Sequence, residues 1–135
     1  MNDCIFCKIV KGKVSSYKVY EDDNSYAFLD INPSAIGHTL IITKKHYDNF
    51  TTIPKKELEE YMLSLQKVCK GIDKFAEGYN ILRNNGKVAG ELIPHVHFHI
   101  IPRNAGDGVN LGHWDKKEGI DMDQVKEEIK SLLKE

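Results

Sequence analysis

Apolar residues recur along this chain with two different periods, and the change from one to the other marks out the elements. Short β-branched and aromatic runs at Tyr17-Lys18-Val19-Tyr20 and Tyr26-Ala27-Phe28-Leu29 are separated by the turn-rich Glu21-Asp22-Asp23-Asn24, which predicts an antiparallel hairpin. After Asn32-Pro33 and Gly37, His38-Thr39-Leu40-Ile41-Ile42 gives the strongest strand signal, and Tyr79 to Leu82 and Val96 to Ile101 give two more. Between them Leu58, Tyr61, Met62, Leu65, Val68, Cys69, Ile72 and Phe75 follow i, i+3/i+4 spacing, so one apolar helix face runs for about five turns. Thr52 is its expected N-cap, Pro54 falls in its first turn, and Gly78 follows its end. A second helix is expected over about 121–134, with Asp121 as N-cap, Gln124 three residues on, and a face of Val125, Ile129, Leu132 and Leu133. Strands, a long helix and further strands predict an α+β class, an antiparallel sheet with helices packed on it. No repeat or Pro/Gly/Ser-rich linker interrupts the pattern, so residues 1–135 read as one domain.

Composition narrows the classes of function. The chain has 135 residues, 41% of them hydrophobic and 29% charged, as ordinary globular proteins do. A formal charge of −1 provides no footprint for nucleic acid, and Lys8, Lys11, Lys13, Lys44 and Lys45 read as solvated surface. No apolar run is long enough to cross a bilayer, and the N-terminus lacks the pattern of a secretory leader. Three cysteines cannot all pair, which predicts a cytoplasmic protein without structural disulfides. Cys69, on the long helix's apolar face, is expected in the core.

Three of the six histidines fall in His95-Val96-His97-Phe98-His99-Ile100-Ile101. Alternation on a strand puts the three imidazoles on one face and Val96, Phe98 and Ile100 on the other. A row of like rings has no packing logic, since protonated rings repel and buried ones each need a partner. Two chemistries use such a row: three ligands for a catalytic zinc, or one nucleophilic imidazole oriented by its neighbours. Cys4 and Cys7 form a CxxC, a spacing shared by zinc sites and redox motifs. The redox reading expects the pair at a helix start after a strand, and only three residues precede Cys4.

The histidine run resembles the His-x-His-x-His-x-x motif of the histidine-triad superfamily, with apolar residues at every x. Cys4-Ile5-Phe6-Cys7-Lys8-Ile9, Ala27-Phe28-Leu29-Asp30-Ile31-Asn32-Pro33 and Gly37-His38-Thr39-Leu40-Ile41-Ile42 through Lys44-Lys45-His46 resemble, in order, blocks of its Hint branch and bacterial Hit-like relatives. The resemblance implies a five-stranded, mainly antiparallel sheet, a homodimer, and a nucleotide hydrolase that needs no cofactor for its chemistry. It implies His97 as the nucleophile that becomes nucleotidylated, His99 as a phosphate ligand and His95 as the group orienting His97. It also places Asn84 and the loop to Gly90 at the phosphate, Asp30 at the ribose, and Phe6, Phe28 and Ile31 around the base. Substrates of the form AMP-X, phosphoramidates above all, are implied; dinucleoside polyphosphates, or a regulatory nucleotide-binding role without turnover, are the alternatives. In relatives with the CxxC, His46 and His95 would complete a structural zinc site with Cys4 and Cys7. The chain departs from its relatives at Glu91 and Leu92, where Gln and a polar residue are usual, and an acidic Glu91 near phosphate would repel it. Trp114 is a candidate for the cleft rim, and His38 and His113 carry no assigned role.

Overall fold

The computed structural model describes residues 3–112 and 115–134; His113 and Trp114 lie outside the described residues. In chain order the elements are α1 (Ile5–Val10), β1 (Lys18–Glu21), β2 (Ser25–Leu29), β3 (Thr39–Thr43), α2 (Lys55–Ile72), β4 (Gly78–Leu82), β5 (His97–Arg103) and α3 (Met122–Leu132). The strands form one sheet ordered β1-β2-β3-β5-β4, and every neighbouring pair is antiparallel. The α+β class and the five-stranded sheet are as the sequence predicts.

Alternation along β2, β3 and the chain entering β5 supplies two cores. Ala27, Ile41, Val96 and Ile100 face α2, where they meet Tyr61, Leu65 and Cys69. Tyr26, Phe28, Leu40 and Ile42 face the other way and pack on Phe6 and Ile9 of α1. Each such side chain taken from water contributes about 1.5–3 kcal/mol, so both layers matter to the fold. Tyr61, fully buried, donates its hydroxyl to the carbonyl of Ile41 at 2.7 Å and so ties α2 to the middle of the sheet.

Four local expectations need correction. Thr52 does not cap α2; it ends a 3₁₀ turn, Phe50–Thr52, that the Asn49 side chain caps, and the residue before α2 is Pro54, which has no side-chain acceptor. The long helix stops at Ile72, short of Phe75. The Phe75 ring instead lies over Gly37 (φ +86°), where a Cβ would come within 2.7 Å of it, so this position requires glycine. The N-terminal segment, given no element in the sequence pattern above, forms α1: six residues are marginal as an isolated helix, and burial of Phe6, Cys7 and Ile9 holds it. Finally β5 begins at His97, so His95 sits in the bend before the strand.

Asp121 caps α3 as expected, accepting from the Gln124 N–H at 3.1 Å. None of the helix's residues is buried, so its apolar face does not cap the core described above. No helix among the described residues is long and apolar enough to cross a membrane.

Candidate active site

On the α1 side of the sheet a cleft of about 510 Å³ opens between α1, the β2–β3 turn and the loop from β4 to β5. Its walls bring together Phe6, Phe28, Asp30, Ile31, Asn84, Gly90, His97 and His99, together with His38. Phe6 and Phe28 are buried and meet edge to face at 5.6 Å, whereas Ile31 is 78% exposed and forms a rim. His95 lies behind the cleft, fully buried on the cysteine side.

The hydrogen bonds decide where each imidazole carries its proton, because a carbonyl oxygen only accepts. His97 Nδ1 lies 2.7 Å from the carbonyl of His95, so Nδ1 carries the hydrogen and Nε2 keeps its lone pair. His95 Nε2 lies 2.6 Å from the carbonyl of Thr43, so its lone pair is on Nδ1. The backbone N–H of Ser34 donates to His38 Nδ1 at 2.9 Å, which puts the hydrogen of His38 on Nε2. That Nε2–H in turn donates to His99 Nδ1 at 2.9 Å, leaving neutral His99 with an Nε2–H of its own. Burial keeps the rings neutral: it lowers His97 and His38 from the ordinary histidine value and pushes His95 and His99 down to about 4. A neutral imidazole lone pair beside an imidazole N–H can attack an electrophile and hold an anionic oxygen at once.

His38, to which the sequence assigned no role, is therefore the residue that fixes His99. Its partner is visible only through register, since β3 pairs with β5 by setting Leu40 opposite His99. Asp30 stands 3.6 Å from His38 Nε2, while its Oδ1 accepts the Asn32 N–H at 2.8 Å and shapes the turn.

Behind His97 a second cluster gathers Cys4, Cys7, His46 and His95, whose ligand atoms all lie within 4.8 Å of one another. His95 Nδ1 is 3.3 Å from Cys4 Sγ and 3.6 Å from Cys7 Sγ, and His46 Nδ1 is 3.4 Å from Cys7 Sγ. Edges of a tetrahedron with zinc–ligand bonds of this class are about 3.5 Å, so the four groups fit that ion. In both rings the Nε2–H has an acceptor, Thr43 O for His95 and Asp48 at 2.6 Å for His46, and this leaves the Nδ1 lone pair facing the cysteines, as a metal ligand's would. The CxxC does open a helix, as a redox pair would, but among the described residues no strand precedes it.

The loop from Asn84 to Glu91 is braced internally. The N–H groups of Ala89, Gly90 and Glu91 bond to Gly86 O, Lys87 O and Gly86 O, so these three amides face the loop's own carbonyls. Glu91 lines no part of the cleft; its carboxylate binds Arg83 at 3.1 Å, which removes the expected clash with phosphate. Leu92 lies on the cleft wall.

An antiparallel α+β sheet with imidazoles lining a cleft over its face defines a class of protein, and similarity to known chains identifies it. The model of the HIT domain matches residues 11–106. An uncharacterised HIT-like protein of Methanocaldococcus jannaschii is 47% identical over 128 residues, covering 94% of this chain and 98% of that one. The adenosine 5′-monophosphoramidase of Saccharomyces cerevisiae is 43% identical over 131 residues, covering 96% and 80%. A crystal structure of a HIT-family protein from Bacillus subtilis superposes with a TM-score of 0.88 at 34% identity, covering 98% of this chain and 99% of that one. This chain belongs to the HIT family.

Proposed function

We propose that this protein hydrolyses nucleoside 5′-phosphoramidates or related adenylated compounds, AMP-X, through a covalent nucleotidyl-His97. The observation that carries the reading is the hydrogen bond from His97 Nδ1–H to His95 O, which leaves the Nε2 lone pair of a neutral ring on a cleft wall. The 43% identity to an adenosine 5′-monophosphoramidase supports the substrate class.

In this reading the base lies between Phe6, Phe28 and Ile31, the ribose hydroxyls donate to Asp30, and the phosphate meets His99 Nε2–H, Asn84 and Gly90. His97 Nε2 attacks the α-phosphorus as the bond to the leaving nitrogen breaks, and that nitrogen takes up a proton from solvent. The ring becomes an N-phosphoryl imidazolium, and its Nδ1–H, held by His95 O, stabilises the new positive charge. Water then attacks phosphorus and releases its proton to solvent, and the phosphorus–nitrogen bond breaks to return the lone pair to His97.

Cys4, Cys7, His46 and His95 are proposed to hold a structural zinc. With four protein ligands the site would be closed, and the ion would pin α1 and the His95 ring rather than activate water. The protein is also proposed to act as a cytoplasmic homodimer. The exposed edge strand β4, with Ile81 and Leu82 accessible, offers a surface for pairing.

The test is release of AMP from an adenosine phosphoramidate by the wild type and by His97→Ala. Turnover lost in a variant that still folds and binds AMP supports the assignment. Wild-type binding of AMP without turnover of any AMP-X compound would overturn it.

A further inference from the structure

Arg83 and Glu91 belong to none of the roles described so far, yet they are among the most enclosed charged side chains, 7% and 9% exposed. Leu82 and Asn84 line the cleft, so Arg83 between them points to the other side of the sheet edge. There its Nη1 lies 3.1 Å from Glu91 Oε2 and 3.5 Å from the carbonyl of His97. Glu91 Oε1 accepts the N–H of Gly86 at 2.9 Å, and the Glu91 N–H donates to Gly86 O at 3.1 Å. The segment carrying Asn84 and Gly90 is thus closed at its base by one carboxylate and one guanidinium.

Such a pair is a poor way to gain stability. Removing two charges from water costs about as much as their attraction returns, and here Arg83 Nε and Nη2 are buried without a partner among the described residues. We propose that Arg83 and Glu91 act as one neutral unit that positions the phosphate loop and balances the electric field at the phosphate end of the cleft. The inference rests on the nucleotide reading of that cleft. The guanidinium's field reaches the phosphate end of the cleft, where Arg83 disfavours protonation of His99. The carboxylate that would repel a phosphate is cancelled by the guanidinium beside it, so the unit is needed as a pair.

A purely structural brace and a field-balancing unit differ in sign. Calorimetric titration of AMP, with inorganic phosphate as a second probe, compares the wild type with Arg83→Gln, Glu91→Gln and the double variant. Glu91→Gln leaves Arg83 uncompensated and is expected to tighten AMP about threefold; Arg83→Gln leaves the carboxylate and weakens it about threefold. The double variant returns to within about twofold of wild type, since a threefold gain and a threefold loss cancel. Amide exchange of Gly86 in the ligand-free protein is an independent readout: protection in the wild type, lost in Glu91→Ala, is expected. Both single variants weakening AMP equally would reduce the pair to a brace and overturn the field role. An unprotected Gly86 amide in the wild type would overturn the positioning role whatever the protein binds. A wild type that binds neither AMP nor phosphate would instead sink the nucleotide reading and the field role with it, leaving the exchange result to judge the loop.

Discussion

Two clusters of ligating side chains flank His97, and they use their lone pairs in opposite ways. Asp30, His38 and His99 could hold an ion by distance alone, as could Cys4, Cys7, His46 and His95. On the cleft side, however, the Nδ1 lone pairs of His38 and His99 are already engaged, one by Ser34 N–H and the other by His38 Nε2–H. On the cysteine side Thr43 O and Asp48 engage the N–H of each ring and leave both Nδ1 lone pairs aimed at sulfur. Proximity of histidines therefore says little until the partner of the second nitrogen is known. One cluster relays a tautomer, and the other leaves its lone pairs free for the proposed zinc.

The largest effect that would break this contrast is catalytic. His38→Phe removes the donor that fixes His99, and kcat for an adenosine phosphoramidate is expected to fall about a hundredfold while zinc content is unchanged. Loss of zinc in that variant, measured by elemental analysis, would show that the two clusters are not separate. Next, the Cys4→Ser/Cys7→Ser double variant should purify without zinc and melt lower, with turnover reduced about tenfold through the loosened His95. Complete loss of turnover in a folded, zinc-free protein would move the metal into the chemistry.

Acid should separate the clusters further. The folded pKa of His95 lies at about 4, below its ordinary 6.5, so the native ring stays neutral where the unfolded chain takes up a proton. The stability tied to this ring is therefore present above pH 6.5 and lost as pH falls from there towards 4. For His95 in the metal-free protein this amounts to roughly 2 kcal/mol between pH 7 and 5, read from urea unfolding. Zinc on Nδ1 opposes protonation, so the zinc-loaded protein should hold its stability to lower pH. The smallest effect is expected far from both clusters. Asp121→Ala removes the cap of an exposed helix and costs about 1 kcal/mol locally, lowering helical circular dichroism without shifting the main melting transition.

Most of the fold could be read from periodicity. β2, β3 and β5 appear where β-branched and aromatic residues cluster, because both faces of those strands are covered and little polar residue interrupts them. α1 could not be read, since its helicity comes from the tertiary burial of Phe6, Cys7 and Ile9. The candidate site was legible as far as resemblance named residues, and Phe6, Phe28, Asp30, Asn84, Gly90, His97 and His99 do share one cleft. His38 was not, because its contact with His99 spans 61 positions and depends on strand register. Glu91 was misread for a related reason: the sequence shows its charge, but the Arg83 that neutralises it is reached only once the loop closes.

Phe6 has a consequence that reaches beyond packing. It lies between the two thiols in sequence, and in space its ring meets Phe28 at 5.6 Å and His97 at 5.1 Å. An ion gripping Cys4 and Cys7 would thereby set one wall of the base slot, and a nucleotide in that slot would press the same wall back towards the thiols. Thermodynamic reciprocity then makes each ligand an effector of the other: whatever factor zinc adds to nucleotide affinity, nucleotide must add to zinc affinity. A short helix of six residues would let zinc occupancy be felt in the grip on nucleotide.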